Sequence, residues 1–569
     1  MDLIYALAEE IGNPNCFVGR KEELDFHLKW AEGTKELLSM SRALLSRRKK
    51  GKTALVQRLF NILYTKNDPK LVPFFFRMPE QPYDTNGFGH IFYRSFLSQY
   101  MGFLNRDPEL INNPVSLGEL EELTRDDPFL ARDVRIMKET NMMTPTLVWN
   151  HAQSLPHRLA KTKDIRVIQI IDEFQYMNRW IFMDQWPEKQ VDLCHSYMGL
   201  AESKYAPLLI TGSYIGWLTT ILNHMTARFK ERRLGDLTDE DALATVYNYA
   251  AIEKKPVTDE TAAYIAAVAY NDPFYISQIF RTDLPGLDLT TNEGVRAALQ
   301  YETTLGQGFT AKMWMEYVAE GLQRVNDING KKIVLYLAKH GDEERTRDQI
   351  KADLELDISD KDLGDRLYML EQADLIAPGS SNYRFKGLGD PIFEIVFRKR
   401  FAEEIENIST ERVVNDFEED MKKAQRQAAW HKGEAGEYRV KYHLLSAVHK
   451  KLNPQSVINN TQPNFRLDTL GSMKKYTFHR DQTHSIIVDI FARCKDDLGM
   501  DLIVEIKTWE KPVTNKVVND FVALKQHLEP QLERPTAFLL YSEMGFSAEQ
   551  EKLMQEHGVM YTQQALLMQ

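Results

Sequence analysis

The sequence predicts an α/β multidomain protein, and three stretches predict it. Ala43–Leu45 is an apolar strand end that runs through a basic loop into Gly51-Lys52-Thr53, followed by a helix pattern at Leu55, Leu59 and Leu63. Val167–Ile171 is a mostly β-branched run ending on Asp172-Glu173, as a buried parallel strand does. Toward the C-terminus, Ser485–Ala492 and Asp501–Trp509 are apolar runs with charged residues inside them. The length of 569 residues suits roughly three to four domains at ~150 residues each.

Composition narrows the class. At 43% hydrophobic and 27% charged residues the chain has ample core for a soluble fold. A net charge of −11 gives no global pull toward nucleic acid, so any such surface must be local. Cys16, Cys194 and Cys494 are far apart and form no CxxC pair. That argues against a zinc ribbon or a disulfide framework, fits a reducing compartment, and makes the cytoplasm the expected location. Met1–Glu10 is acidic and lacks the basic n-region of a signal peptide. No apolar run reaches ~18 residues, so no membrane span is expected.

In chain order, Asn15–Arg20 with Glu22, Glu23, Leu24 and Leu28 reads as an extended segment meeting a short amphipathic helix. The strand–loop–helix at 41–55 has the context in which backbone N–H groups at a helix N-terminus cradle phosphates. Lys52 would reach the β/γ-phosphates of a nucleotide and the Thr53 hydroxyl would hold Mg²⁺. Ser46 stands where G-x-x-x-x-G-K-[ST] begins with glycine, and Gly51 fills the second glycine position. The other reading of the stretch is a basic surface loop that contains Gly-Lys-Thr. Leu71–Phe76 reads as a buried strand, and 84–160 as helices covering the sheet. Asp172 and Glu173 close a strand about 120 residues after the loop, at the edge where parallel sheets place ligands. Asp172 suits Mg²⁺, and Glu173 suits polarisation of an attacking water. Pro207–Ser213 is a further strand, whose Thr211 or Ser213 could sense the γ-phosphate or simply end the strand. Arg228 could contact the γ-phosphate or a neighbouring subunit's nucleotide, or be a surface arginine beside Arg232 and Arg233. Residues 236–300 are helical, with an N-cap signal at Leu237–Asp241 and a break at Asn271–Ile276.

These motifs in this order, Gly19–Leu24, Arg47–Thr53, Ile170–Gln175, Ile210–Ser213 and Asn271–Ile276, resemble the prokaryotic ATPase family described mainly from Archaea. That family lies within the AAA-like and STAND group of P-loop NTPases. The resemblance covers about residues 15–300 and the winged helix that usually follows. It departs at Ser46, where the family's motif has glycine. It implies ATP–Mg²⁺ binding at Lys52, Thr53, Asp172 and Glu173, and a nucleotide-state switch, often with oligomerisation.

Residues 330–400 read as three short helices and a hairpin, a winged-helix pattern. Its third helix, Ser359–Gln372, carries Asp360, Asp362, Asp365 and Glu371 against Lys361 and Arg366. A DNA-reading helix is basic, so a structural or intersubunit role is expected. Residues 394–427 are a charged helical linker.

The C-terminal block opens with a helix, Lys432–Leu445, and then carries Asp489 in one apolar strand and Glu505 and Lys507 in another. Side chains two apart on a strand share a face, and charges in apolar runs are costly unless paired or bound to metal. Asp489 and Glu505 would ligate Mg²⁺, with Mn²⁺ the expected substitute. Lys507 would orient a water or neutralise developing charge. Glu437 on the first helix would complete the set, with Glu434 its rival. The alternative is a salt-bridged edge strand in which Lys507 pairs with Glu505 or Asp489. The pattern resembles the PD-(D/E)xK phosphodiesterase superfamily over about 428–560. That resemblance implies a restriction-endonuclease-like α/β domain with Glu437, Asp489, Glu505 and Lys507 as its site.

The expected domains are therefore a P-loop ATPase core at 1–235, a helical lid at 236–325, a winged helix at 326–400, a linker at 401–427 and a nuclease-like domain at 428–569. The expected function is an ATP-binding and hydrolysing switch that controls metal-dependent cleavage of DNA, with RNA left open as substrate. A homo-oligomer is expected, and a role in defence against phage or plasmids follows by analogy only. The alternative function is a regulatory ATPase whose C-terminal domain binds nucleic acid or partners without cutting, or a scaffold assembled by nucleotide.

Overall fold

The computed structural model describes residues 3–140, 145–183, 192–213, 215–225, 228–322, 328–341, 343–381, 383–406, 408–428, 432–479, 485–496, 499–509 and 511–567. The chain forms two compact units. One comprises Met1–Asp241, Ala269–Pro285 and Ala297–Asp420, and the other Ala242–Val268, Gly286–Arg296 and Met421–Gln569.

The first unit is built on strands β1 (Ser41–Leu45), β2 (Leu71–Arg77), β4 (Arg166–Asp172), β6 (Leu208–Gly212) and β7 (Phe229–Arg233). They form one sheet in the order β2-β4-β6-β1-β7, every neighbour parallel. Helices α1 (Lys21–Gly33) and α2 (Lys52–Lys66) flank β1 in sequence. The register sets Leu45 beside both Gly212 and Arg233, and Ile171 beside Ile210. The C-terminal ends of β1, β4 and β6 therefore meet along one edge, where such sheets bind ligands. Helix α3 (Thr85–Asn105) covers the β2 side with aromatic packing. Phe74 lies 5.1 Å from Phe96, Phe76 lies 5.1 Å from Phe92, and Phe88 lies 5.0 Å from Trp149, ring centre to ring centre. Two short strands, β3 (Tyr83–Asp84) and β5 (Ile181–Phe182), pair separately.

The later part of this unit holds a small antiparallel sheet, β8 (Arg345–Thr346), β9 (Ala377–Pro378) and β10 (Arg384–Lys386), in the order β8-β10-β9. Helices Ile328–His340, Arg347–Asp353, Asp360–Gln372 and Pro391–Glu406 accompany it.

The second unit is organised by β11 (Leu470–His479), β12 (Ser485–Cys494), β13 (Asp501–Lys507), β14 (Thr536–Ser542) and β15 (Met560–Gln563), paired in chain order. The first two pairings are antiparallel and the last two parallel. Alternation along β13 feeds two cores. Leu502, Val504 and Ile506 join Val440 and Leu444 of helix Lys432–His449 on one face. Ile503 joins Val518, Phe521 and Val522 of helix Asn515–Leu528 on the other. Glu505 and Lys507 have the parity of Ile503 and project on its side. Arg439 ties helix Lys432–His449 to this unit's other parts, bonding Asp259 at 2.6 Å and Glu543 at 2.7 Å.

Six of the described strands have no counterpart in the sequence reading: the two-residue strands β3, β5 and β8, and β7, β11 and β15. β7, β11 and β15 lie at sheet edges, and β7 and β11 carry Lys, Arg, Gly and Ser among few apolar residues. An edge strand with an exposed face leaves no apolar run to find.

Candidate functional site

The loop Ser46–Gly51 turns β1 into α2. Gly51 takes φ +87° as the residue before the helix, and Lys49 takes φ +67° two residues earlier. Glycine adopts the first without cost, and a lysine at the second is uncommon. Lys52 is buried at the first turn of α2 and folds its ammonium back into the loop. Nζ donates to Ser46 O at 2.7 Å and to Arg47 O at 3.0 Å, with Ser46 Oγ at 3.3 Å. Burial pulls this lysine below its ordinary value, while Glu173 and Asp172 pull the other way.

Thr53 Oγ1 donates to Asp172 Oδ2 at 2.8 Å. The Thr211 hydroxyl donates to the other Asp172 oxygen. Asp172 is fully buried, and burial followed by the neighbouring Glu173 charge raises its carboxyl above the usual range. Glu173 sits at φ +56° and accepts from Ser213 N at 3.1 Å, from the Ser213 hydroxyl and from Gln175 Nε2 at 2.6 Å. Gln175 Oε1 is buried with no partner. The edge thus gathers three hydrogen-bonded sets: Lys52 with Ser46, Asp172 with Thr53 and Thr211, and Glu173 with Ser213 and Gln175. A buried carboxylate that accepts from two hydroxyls, next to a second carboxylate, is a hard-oxygen set that fits a divalent cation. Arg228 is anchored elsewhere on the chain, with Nε donating to Met198 O at 3.0 Å and lying 3.2 Å from Glu202.

Sequence reasoning missed what holds the basic loop. Arg47 pairs with Asp390 and lies 3.5 Å from Asp272, and Lys50 pairs with Asp236 and with Asp272 at 2.7 Å. Asp272 caps helix Pro273–Arg281 and Asp390 caps helix Pro391–Glu406. Tyr275 OH donates to Asp390 at 2.6 Å and Trp314 Nε1 to Tyr275 OH at 3.0 Å. The two Asp-Pro pairs are visible in the sequence as helix-start signals; their reach to the loop is not.

In the second unit, Asp489 Oδ2 accepts from Ile506 N at 2.7 Å, which sets its carboxylate between Glu505 and Lys507 along β13. Lys507 Nζ donates to Glu505 Oε1 at 2.6 Å. That ion pair is the arrangement expected of a salt-bridged strand. Glu437 comes from helix Lys432–His449 and receives Lys475 at 3.3 Å. The helix reaches β13 because position 436 is glycine: a Cβ there would stand 2.7 Å from Thr508 Cγ2. Burial raises the Glu437 carboxyl, and Asp489 adds to it. Burial raises Glu505 too, against the Lys507 bond, with Asp489 and Glu437 adding. Two carboxylates raised by burial and by the Asp489 charge fit a site that takes up positive charge. Among the described residues, no group of three or more His, Cys, Asp or Glu side chains is placed closely enough to hold a metal ion as it stands.

No protein-family model and no curated protein matches this chain. Among solved structures, the Walker-type ATPase of Pyrococcus abyssi is similar at 15% identity and a TM-score of 0.44, over 67% of this chain and 96% of that one. The Aeropyrum pernix ORC1 protein in complex with DNA is similar at 13% identity and 0.33, over 70% and 97%. The Thermotoga maritima RuvB Holliday junction branch migration motor is similar at 13% identity and 0.29, over 65% and 92%. No described helix is long and apolar enough to cross a membrane.

Proposed function

We propose that the protein is an ATP-binding and hydrolysing switch whose nucleotide state controls a metal-dependent nuclease in its second unit. The nucleotide half rests on the Thr53 Oγ1 to Asp172 Oδ2 bond at 2.8 Å beside the buried Lys52. Lys52 would exchange the carbonyls of Ser46 and Arg47 for β/γ-phosphate oxygens. Glu173, fixed by Ser213 and Gln175, would orient a water, and Arg228 would serve a γ-phosphate, its own or a neighbouring subunit's. Mg²⁺, when bound, supplies charge neutralisation at the phosphates and Lewis acidity at the phosphodiester. Thr53 and Asp172 would hold it at the first site, and Asp489 and Glu505 at the second, where Mn²⁺ would serve as well.

In the second unit Lys507 would leave Glu505 and hold a proton-bearing ammonium against the scissile phosphate, with Glu437 holding the attacking water. DNA is the proposed substrate. Residues 330–400 would act as a winged helix that couples the units, and the chain would assemble as a homo-oligomer. Plasmid cleavage with Mg²⁺ or Mn²⁺, with and without ATP, tests this in wild type, Lys52→Ala, Asp489→Ala and Lys507→Ala. Equal nicking by all four sinks the nuclease reading. Nicking that ignores both ATP and Lys52→Ala sinks the switch.

A second reading is a switch ATPase whose second unit binds nucleic acid without cutting. The intact Lys507–Glu505 pair at 2.6 Å favours it. Under it, wild type shifts DNA in a gel and never nicks it.

A further inference from the structure

The face of the parallel sheet beside α1 carries cations that the two sites above do not use. β7 is an edge strand, and its register sets Lys230 beside Arg42 and Arg232 beside Leu44. Arg42, Lys230 and Arg232 therefore share one face. Like charges side by side across a sheet destabilise it. Among the described residues no carboxylate pairs with Arg42 or Lys230, and Arg232 reaches only Glu23, at 3.9 Å. The guanidiniums of Arg42 and Arg232 crowd the Phe26 ring, 4.2 and 4.0 Å from its centre, and Arg42 is 5.8 Å from that of Trp30. The Nε atoms of both arginines and both ring nitrogens of His27 are buried with no partner. His27 is 1% exposed. Burial lowers the Arg42 guanidinium from its ordinary value, with Arg232 adding to it. Buried polar atoms without partners call for a water, an ion or a ligand.

Next to these groups lies a cleft of about 430 Å³ bounded by Phe26, Lys29, Trp30, Met40, Arg42 and Lys230. Its size is that of a small-ligand site. The walls are aromatic and apolar, the charges are all positive, and Leu38 at the rim is 79% exposed.

We propose that this cleft binds a nucleoside phosphate, with the phosphate on Arg42, Lys230 and Lys29 and the base against Trp30, Met40 and Leu38. The ligand is either a free nucleotide or the end of a nucleic-acid strand, since both present a phosphate on a planar ring. An acidic peptide added as a strand to β7 would answer the charge and leave the apolar walls uncovered. This site is separate from the loop at 46–53 and does not depend on what that loop binds.

The test uses the full chain carrying Lys52→Ala, without Mg²⁺, so that the loop contributes no competing phosphate site. Adenosine 5′-monophosphate and a 5′-phosphorylated tetrathymidylate are titrated by calorimetry at low salt. We expect at least one probe to bind with a Kd below about 1 mM. Lys230 is exposed, so Lys230→Glu leaves the fold intact, and it should weaken binding tenfold or more, with Lys230→Arg near the parent. Comparable binding of both probes assigns the free nucleotide as source, and binding of the tetranucleotide alone assigns a strand end. The proposal is overturned if neither probe binds, if Lys230→Glu and Arg42→Gln bind as the parent does, or if a hexaglutamate peptide binds more tightly than either probe.

Discussion

Asp390 should be the residue whose loss most clearly loosens the hold on the phosphate loop. It is 5% exposed, pairs with Arg47, accepts from Tyr275 OH at 2.6 Å, and caps its helix through Ile392 N at 2.9 Å and Phe393 N at 3.0 Å. Removing one partner of a buried pair costs ~3–5 kcal/mol, because the other charge stays buried. Here Arg47 keeps Asp272 at 3.5 Å and is 15% exposed. Asp390→Asn, which retains an acceptor for the cap, should therefore cost only ~2–3 kcal/mol. Asp390→Ala also loses the cap, ~1 kcal/mol, and the tyrosine bond, ~1 kcal/mol, for a total of ~4–5 kcal/mol. Urea unfolding followed by tryptophan fluorescence should order the midpoints Ala below Asn below wild type. In the folded Asn variant Arg47 has one carboxylate fewer, so ATP should bind several-fold more tightly at low salt. An Asn variant as stable as wild type, or one no better than Ala, refutes the reasoning.

Four further outcomes are expected. Lys52→Ala should weaken a fluorescent ATP analogue by about a hundredfold or more, a charge-assisted contact being worth ~1.5–3 kcal/mol or above where several act together; unchanged binding would show that the loop is not the nucleotide site. Asp489→Ala and Lys507→Ala should each abolish plasmid nicking while leaving ATP binding intact, as read by parallel gel and fluorescence assays. Glu437 has its folded carboxyl raised by burial and Asp489, so its ionisation opposes folding above that value and the penalty vanishes at acid pH. Glu437→Gln should accordingly raise the thermal midpoint near pH 8 and converge with wild type by about pH 4. His27, held down to about 4 from 6.5 by burial, Arg42 and Arg232, takes its proton in the unfolded chain first. Stability is then whole above about pH 6.5 and falls toward pH 4 by up to ~3 kcal/mol; His27→Leu should flatten that fall in urea midpoints taken at pH 7.5 and 5, and an equal fall would dismiss the effect.

The parallel sheet was legible because its inner strands are buried on both faces and so read as apolar runs: Phe74–Phe76 and Val167–Ile171 could be little else. Asp172 and Thr53 were legible as a pair because each stands at the end of its own recognisable element. The edge strands β7 and β11 were not, since half of each faces water or charge. With β7 unseen, Arg232 was only one of three nearby arginines, and its alignment with Arg42 and Lys230 on a common face could not be read. Asp272 lay in the break read at Asn271–Ile276 while Asp390 was not singled out, and nothing local to either says that both close on Arg47. Period-2 alternation placed Glu505 and Lys507 on one face, and only the strand pairing brings Asp489 to Ile506 N.

The charge around the loop constrains how a nucleotide could enter. Arg47, Lys50 and Lys52 are met by Asp172, Glu173, Asp236, Asp272 and Asp390, through ion pairs or through the field that Lys52 feels. Arg47 and Lys50 are thus engaged by carboxylates before any phosphate arrives. A triphosphate brought into that setting competes with those carboxylates for Arg47 and Lys50 unless a divalent cation comes with it or some of them withdraw. Asp172 and Glu173 are rooted at the end of β4 and cannot withdraw. Asp272 and Asp390 belong to helix starts, and those helices are joined through the Tyr275–Asp390 and Trp314–Tyr275 bonds. If carboxylates yield to phosphate, these two move together, and they carry helices Pro273–Arg281 and Pro391–Glu406 with them. The physical link between nucleotide and the rest of the chain is then a competition between phosphate and two aspartates for Arg47 and Lys50. Its signature is reciprocal: Lys50→Ala should weaken ATP binding and at the same time loosen the start of helix Pro273–Arg281, so that hydrogen exchange at Phe274 N rises in the absence of nucleotide. Exchange unchanged by Lys50→Ala would mean that the loop and the helices are not coupled through these pairs.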